Sequence, residues 1–111
     1  MVFDTRLAQR IRRVLEREGP PNVSERKMFG GIAFMVNGNL ACGVLGEELL
    51  VRIGAERYPS ALKEPHVRVF DFTGRPSKGI VLVGMPGLAT SVSLRKWVKR
   101  GVDFALTFPP K

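Results

Sequence analysis

Two short runs in this chain have no polar face. In Ile32-Ala33-Phe34-Met35-Val36, strand alternation puts Ile32, Phe34 and Val36 on one side and Ala33 and Met35 on the other. The run Ile80-Val81-Leu82-Val83 is likewise apolar on both sides. β-branched and aromatic residues favour an extended, pleated backbone. A strand that is apolar on both faces must be covered on both. With 111 residues there are few ways to do this. Either helices divide between the two faces of a sheet, or they gather on one face and a second copy of the chain covers the other. The second arrangement makes a homodimer one expected assembly.

The remaining sequence supplies the covering elements. Residues 4–18 read as an amphipathic helix that Asp4 or Thr5 can cap. Its apolar stripe is Phe3, Leu7, Ile11, Val14 and Leu15, and Gly19-Pro20-Pro21 ends it. Lys27-Met28-Phe29 leads through Gly30-Gly31, a place for a bulge or a close backbone approach, into the first two-sided run. Asn37-Gly38-Asn39 accepts positive φ and predicts a hairpin turn. Strands follow over 40–45 and 48–53, joined at Gly46-Glu47, and the three segments make a meander. Small residues Ala41 and Gly43 would let a helix sit close to the middle strand or leave a shallow pocket. A short helix is expected over 54–63, reset near Pro59, then an extended segment over 66–71 and a loop over 72–77. A strand over 78–83 and a loop over 84–87 precede a helix from Thr90 or Ser91 to Phe108, stopped by Pro109-Pro110. The expected fold class is α+β: a single two-layer domain over residues 1–111, with an antiparallel sheet of about five strands in the order α-β-β-β-α-β-β-α.

Composition narrows the function classes. Eighteen Lys and Arg against ten Asp and Glu leave a formal charge of +8. Such a field draws polyanions, nucleic acid among them, or simply keeps the domain soluble. The single cysteine, Cys42, excludes an intramolecular disulfide and suits a reducing compartment. No signal-peptide pattern opens the chain, and no run approaches the roughly 20 apolar residues that span a bilayer. A cytoplasmic location without membrane contact is expected. His66 is the only histidine, and Cys42 falls mid-strand, where a thiol is usually inert. No catalytic residues, cofactor or metal are therefore expected.

Four segments carry a family resemblance. They are Lys27-Met28-Phe29-Gly30-Gly31-Ile32-Ala33-Phe34, Asn39-Leu40-Ala41-Cys42-Gly43-Val44, Leu50-Val51-Arg52-Ile53-Gly54 and Asp71-Phe72-Thr73-Gly74-Arg75-Pro76-Ser77-Lys78-Gly79. In this order and spacing the chain resembles the TfoX N-terminal domain family over roughly residues 10–108. The Met-Phe-Gly-Gly segment and the Asp-Phe-Thr-Gly-Arg-Pro loop are the specific parts. The resemblance implies a two-layer α+β fold similar to secretion-chaperone-like folds. It also implies an association with regulators of DNA-uptake genes, whose full-length members carry a second, C-terminal domain that a chain ending at Lys111 is expected to lack. It brings no catalytic residues.

Three basic constellations are candidate sites. Arg6, Arg10, Arg13 and Arg17 are spaced 4, 3 and 4 apart, which confines them to a helix sector of roughly 60°. A line of guanidinium groups suits a row of phosphates, and it also suits a merely solvated face. Arg95, Lys96, Lys99 and Arg100 cluster on the last helix, opposite an apolar side that holds Trp97. Arg75, Ser77 and Lys78 sit in a glycine-containing loop that reads either as an anion nest or as a structural turn. The expected function is a small regulatory or protein-interaction module with an unidentified protein partner. The alternative is a nucleic-acid-associated protein that holds phosphates on the arginine stripe, and an enzyme comes third.

Overall fold

The structure, a computed structural model, describes residues 3–71 and 74–111. In chain order the elements are α1 (Thr5–Glu18), β1 (Val23–Met28), β2 (Gly31–Val36), β3 (Asn39–Leu45), β4 (Glu48–Arg52), α2 (Tyr58–Ala61), β5 (Val67–Val69), β6 (Ile80–Val83), a 3-10 turn (Met85–Leu88) and α3 (Ser91–Ala105). The strands form one antiparallel sheet in the order β1-β2-β3-β4-β6-β5. The fold class is α+β, as the sequence predicts, with six strands rather than about five. The additional strand is β1. Its six residues, Val-Ser-Glu-Arg-Lys-Met, carry no apolar alternation, and none of them is buried, so the hydrophobic pattern does not announce it. Phe29 and Gly30, at φ 55° and 77°, turn it directly into β2.

Local chemistry sets the other boundaries. The Asp4 carboxylate accepts hydrogen bonds from the backbone N–H groups of Arg6 and Leu7, at 2.8 and 3.1 Å, and so caps α1. Gly19, at φ 66°, closes the helix and donates its N–H to the Leu15 carbonyl. Asn37 and Gly38 adopt φ 54° and 79° and form the anticipated hairpin turn. The expected helix over 54–63 shrinks to one turn, Tyr58–Ala61, and Gly54 at φ 89° lies outside helical geometry. The last helix stops at Ala105 rather than Phe108. Thr107 and Phe108 donate to carbonyls three residues back, a tightening that precedes Pro109.

All three helices lie on one face of the sheet. There Leu7, Ile11, Leu94, Trp97 and Val98 pack on Phe34, Val44, Leu49, Val51 and Val81. Helix α3 approaches β3 so closely that a Cβ at Gly101 would strike the Ala41 carbonyl oxygen. The opposite face carries Ala33, Met35, Leu40, Leu50 and Leu82, every one of them buried, together with Phe70.

The helices do not divide between the two faces; within the chain, the curled sheet itself buries the second face. Phe29 follows β1 and Phe70 follows β5, at opposite edges of the sheet, yet their rings meet edge to face with centroids 5.1 Å apart. Strands lie ~4.8 Å apart, so a flat sheet of this order would separate those edges by about 24 Å. The sheet is therefore strongly curled. Glycines on β2 and β3 leave room for the neighbouring strand's backbone. A Cβ at Gly43 would lie 2.5 Å from the Ile32 carbonyl oxygen, and one at Gly31 would strike the Val44 carbonyl. Gly43 thus serves the approach of two strands, whereas Ala41 receives the helix. The second apolar face is thus buried within the single chain.

Candidate docking groove between α1 and α3

The amphipathic pattern of α1 turns Leu7, Ala8, Ile11 and Leu15 onto the sheet and leaves the arginine-bearing side outward. Helix α3 lies beside it, capped by Thr90, whose Oγ1 accepts from the Ser93 N–H at 3.0 Å. Between the two helices runs a half-open groove of about 680 Å³. Arg10, Arg13, Val14, Glu16 and Arg17 of α1 line one wall, and Ser91, Val92, Leu94 and Arg95 of α3 line the other. Four cations and one carboxylate thus surround a floor that contains valine and leucine. No acidic side chain occupies the first turn of α3, so its positive N-terminal end adds to the same field.

Arg10 differs from its neighbours. Its Nη2 donates to the Leu88 carbonyl at 2.7 Å and ties α1 to the 3-10 turn that precedes α3. This bond holds the two walls together. Arg13, Arg17 and Arg95 are exposed. Val92 is 69% exposed, the largest exposure among the big apolar side chains of the described residues.

The structure divides the eight basic residues predicted on the two helices. Arg10, Arg13, Arg17 and Arg95 converge on the groove. Arg6 and Lys96 are exposed outside it. Lys99 pairs with Asp103 at 3.5 Å. Arg100 pairs with Glu64 at 2.7 Å and stacks over the Trp97 ring at 4.3 Å. Trp97 is buried in the helix-side core.

In the glycine loop, Phe72 and Thr73 lie outside the described residues. Arg75 and Lys78 are exposed, but the backbone of this loop serves its own turns. Gly74 N–H donates to Asp71, Ser77 N–H to Phe70 and Ile80 N–H to Ser77. Amides engaged in this way do not face an anion together.

Sequence reasoning missed Val92 in the groove and Arg12 outside it. Val92 falls outside the apolar stripe of α3, and an isolated exposed valine at a helix start was the signal available. Arg12 lies off the arginine stripe and makes a two-pronged contact with Glu25 of β1, at 2.7 and 2.8 Å. The hydrogen bonds from Arg12 hold the Glu25 carboxyl below the usual carboxylate range. Elsewhere, burial pushes the Cys42 thiol up to about 12, so it is not a thiolate at neutral pH. Among the described residues no three His, Cys, Asp or Glu side chains gather to hold a metal, and no helix is long and apolar enough to cross a membrane.

Comparison with known proteins agrees with the resemblance carried by the Met-Phe-Gly-Gly and Asp-Phe-Thr-Gly-Arg-Pro segments. The family model for the TfoX N-terminal domain matches residues 15–105. No curated protein and no solved structure matches the chain. Arg10, Arg13 and Val14 of the groove precede the matched stretch, whereas Arg17 and the whole α3 wall lie within it. The match covers most of the 111 residues, and the chain belongs to the TfoX N-terminal domain family.

Proposed function

We propose that this chain is a non-catalytic regulatory interaction module that docks an acidic partner protein on the α1–α3 face. The observation that carries this reading is the convergence of Arg10, Arg13, Arg17 and Arg95, from two helices, on one groove with apolar residues in its lining. A groove that joins guanidinium groups to desolvable apolar surface matches the make-up of protein interfaces, where arginine is enriched and a dry centre contributes most of the affinity. Membership in the TfoX N-terminal domain family favours a regulatory role of the competence-regulator kind. The fully enclosed Cys42 favours a role without thiol chemistry.

Phosphate binding along α1 is the second reading, and the same arginines motivate it. It is weakened because Lys99 and Arg100 hold carboxylates, which breaks up the basic surface that a nucleic-acid backbone would follow.

The test is parallel capture from the native cell extract with the wild-type chain and with the double variant Arg13→Glu/Arg95→Glu. Captured proteins are then purified and titrated across salt. The expected result is a partner that binds the wild type, weakens as salt rises and is lost with the double variant. Identical partners for both chains would refute docking on this face. Salt-sensitive affinity for duplex DNA in place of a protein would replace it with the second reading.

A further inference from the structure

We infer that the occupant of the groove is an acidic amphipathic helix laid along α1. This rests on the docking reading above and narrows it to one class of partner. Three observations carry it.

The first is spacing. Arg10, Arg13 and Arg17 follow one another along α1 at intervals of three and four residues. At ~1.5 Å per residue these intervals are about 4.5 and 6 Å. Carboxylates at positions i, i+3 and i+7 of another helix repeat at the same intervals, so a second helix aligned with α1 meets all three cations in register. Phosphates of a small polyphosphate are too closely linked to follow that spacing.

The second is the mixture of surfaces. Val14 and Val92 are apolar lining residues flanked by cations, and Val92 is 69% exposed. An amphipathic helix supplies an apolar ridge beside an acidic one, and its anchors at i, i+3/i+4 and i+7 suit a groove between two helices. A nucleic-acid backbone has no use for exposed valine.

The third is sign. Glu16 is the one carboxylate in the lining against four arginines. None of the four arginines makes an ion pair with the chain's own acids among the described residues. The field is left for a partner.

The experiment is a fluorescence-anisotropy titration of the intact chain with a labelled 14-residue peptide. The peptide carries glutamates at i, i+3 and i+7 beside a leucine ridge. Three further arms are a scrambled peptide of the same composition, a 20-base-pair DNA duplex and inorganic triphosphate. We expect the amphipathic peptide to bind at least about tenfold more tightly than its scrambled version and to gain helical circular dichroism on binding. Arg95→Glu and Val92→Asp change exposed side chains and leave the fold intact, and each is expected to weaken binding about tenfold. Equal binding of scrambled and ordered peptides overturns the helix inference and leaves the acidic-partner reading standing. Tighter binding of DNA or triphosphate, or no binding of either peptide, overturns both. Loss with Arg95→Glu but none with Val92→Asp removes the apolar ridge and, with it, the amphipathic helix.

Discussion

Gly101 lies in the interior of α3, where replacement by alanine normally strengthens a helix by about 1 kcal/mol. The opposite outcome is expected here. An alanine Cβ would point at the backbone of β3, strike the Ala41 carbonyl oxygen and lie 3.0 Å from its carbonyl carbon. The obstacle is backbone in the middle of a paired strand, so it cannot rotate away as a side chain would. Helix α3 must instead retreat by about 1 Å, loosening Leu94, Trp97, Val98 and Val102, all buried against the sheet. Overpacking of this kind costs ~1–3 kcal/mol, occasionally more. Part of the helix-propensity gain offsets this, and Gly101→Ala is expected to be less stable than wild type by about 1–2 kcal/mol. Urea unfolding followed by circular dichroism reads this as a lower midpoint at an unchanged slope. Gly19→Ala is the companion measurement. Space there is open, and the φ of 66° alone penalises a side chain, by ~1 kcal/mol. A Gly101→Ala midpoint equal to or above wild type would refute the close-packing argument, because propensity alone would then suffice.

Three further outcomes follow from the same geometry. Phe70→Ala opens the self-covered face of the curled sheet and is expected to cost ~3–4 kcal/mol, with self-association or dye binding as exposed apolar surface develops; a monomer of wild-type stability would show that the curl does not depend on this ring. The Arg12–Glu25 pair is over a third exposed on each side, so solvent screens it, and Glu25→Gln is expected to cost less than about 1 kcal/mol at neutral pH. Because the folded Glu25 is held below its unfolded range, its contribution is present above the ordinary carboxylate pKa and fades as pH falls through the lowered value; pH-dependent unfolding of wild type and variant should therefore converge in acid. Cys42 is enclosed and its thiol raised to about 12, so labelling by a thiol reagent at neutral pH should track global unfolding and accelerate in urea; rapid labelling of the native chain would contradict that burial.

Local chemistry was legible in the sequence. Asp4, Gly19 and Asn37-Gly38 announce a helix start, a helix end and a hairpin because capping and positive φ depend on a few neighbouring residues. The two-sided apolar runs announced strands that need two covers, and the Met-Phe-Gly-Gly and Asp-Phe-Thr-Gly-Arg-Pro segments announced the family. β1 escaped notice because its residues, apart from the half-buried Met28, are polar or exposed along an edge, and pairing with β2 creates the strand without any hydrophobic alternation. The arginine stripe was visible as a periodicity, but periodicity cannot say which stripe on another helix it will face. Arg95 joins Arg13 and Arg17 because α3 crosses the sheet beside α1, whereas Arg100 is drawn to Glu64, 36 residues away.

The second cover of the sheet was likewise a tertiary decision. Helix and strand patterns record which side chains must leave water, and both faces of β2 and β6 made that demand in the sequence. What covers them depends on curvature accumulated over six strands, with room for close backbone approach at Gly31 and Gly43 and a register shift at Phe34/Met35. Short-range preferences thus determined the elements and their apolar faces. Only the packed structure brought Phe29 to Phe70 and four arginines to one groove, because contacts between residues far apart in sequence exist only after the elements have docked.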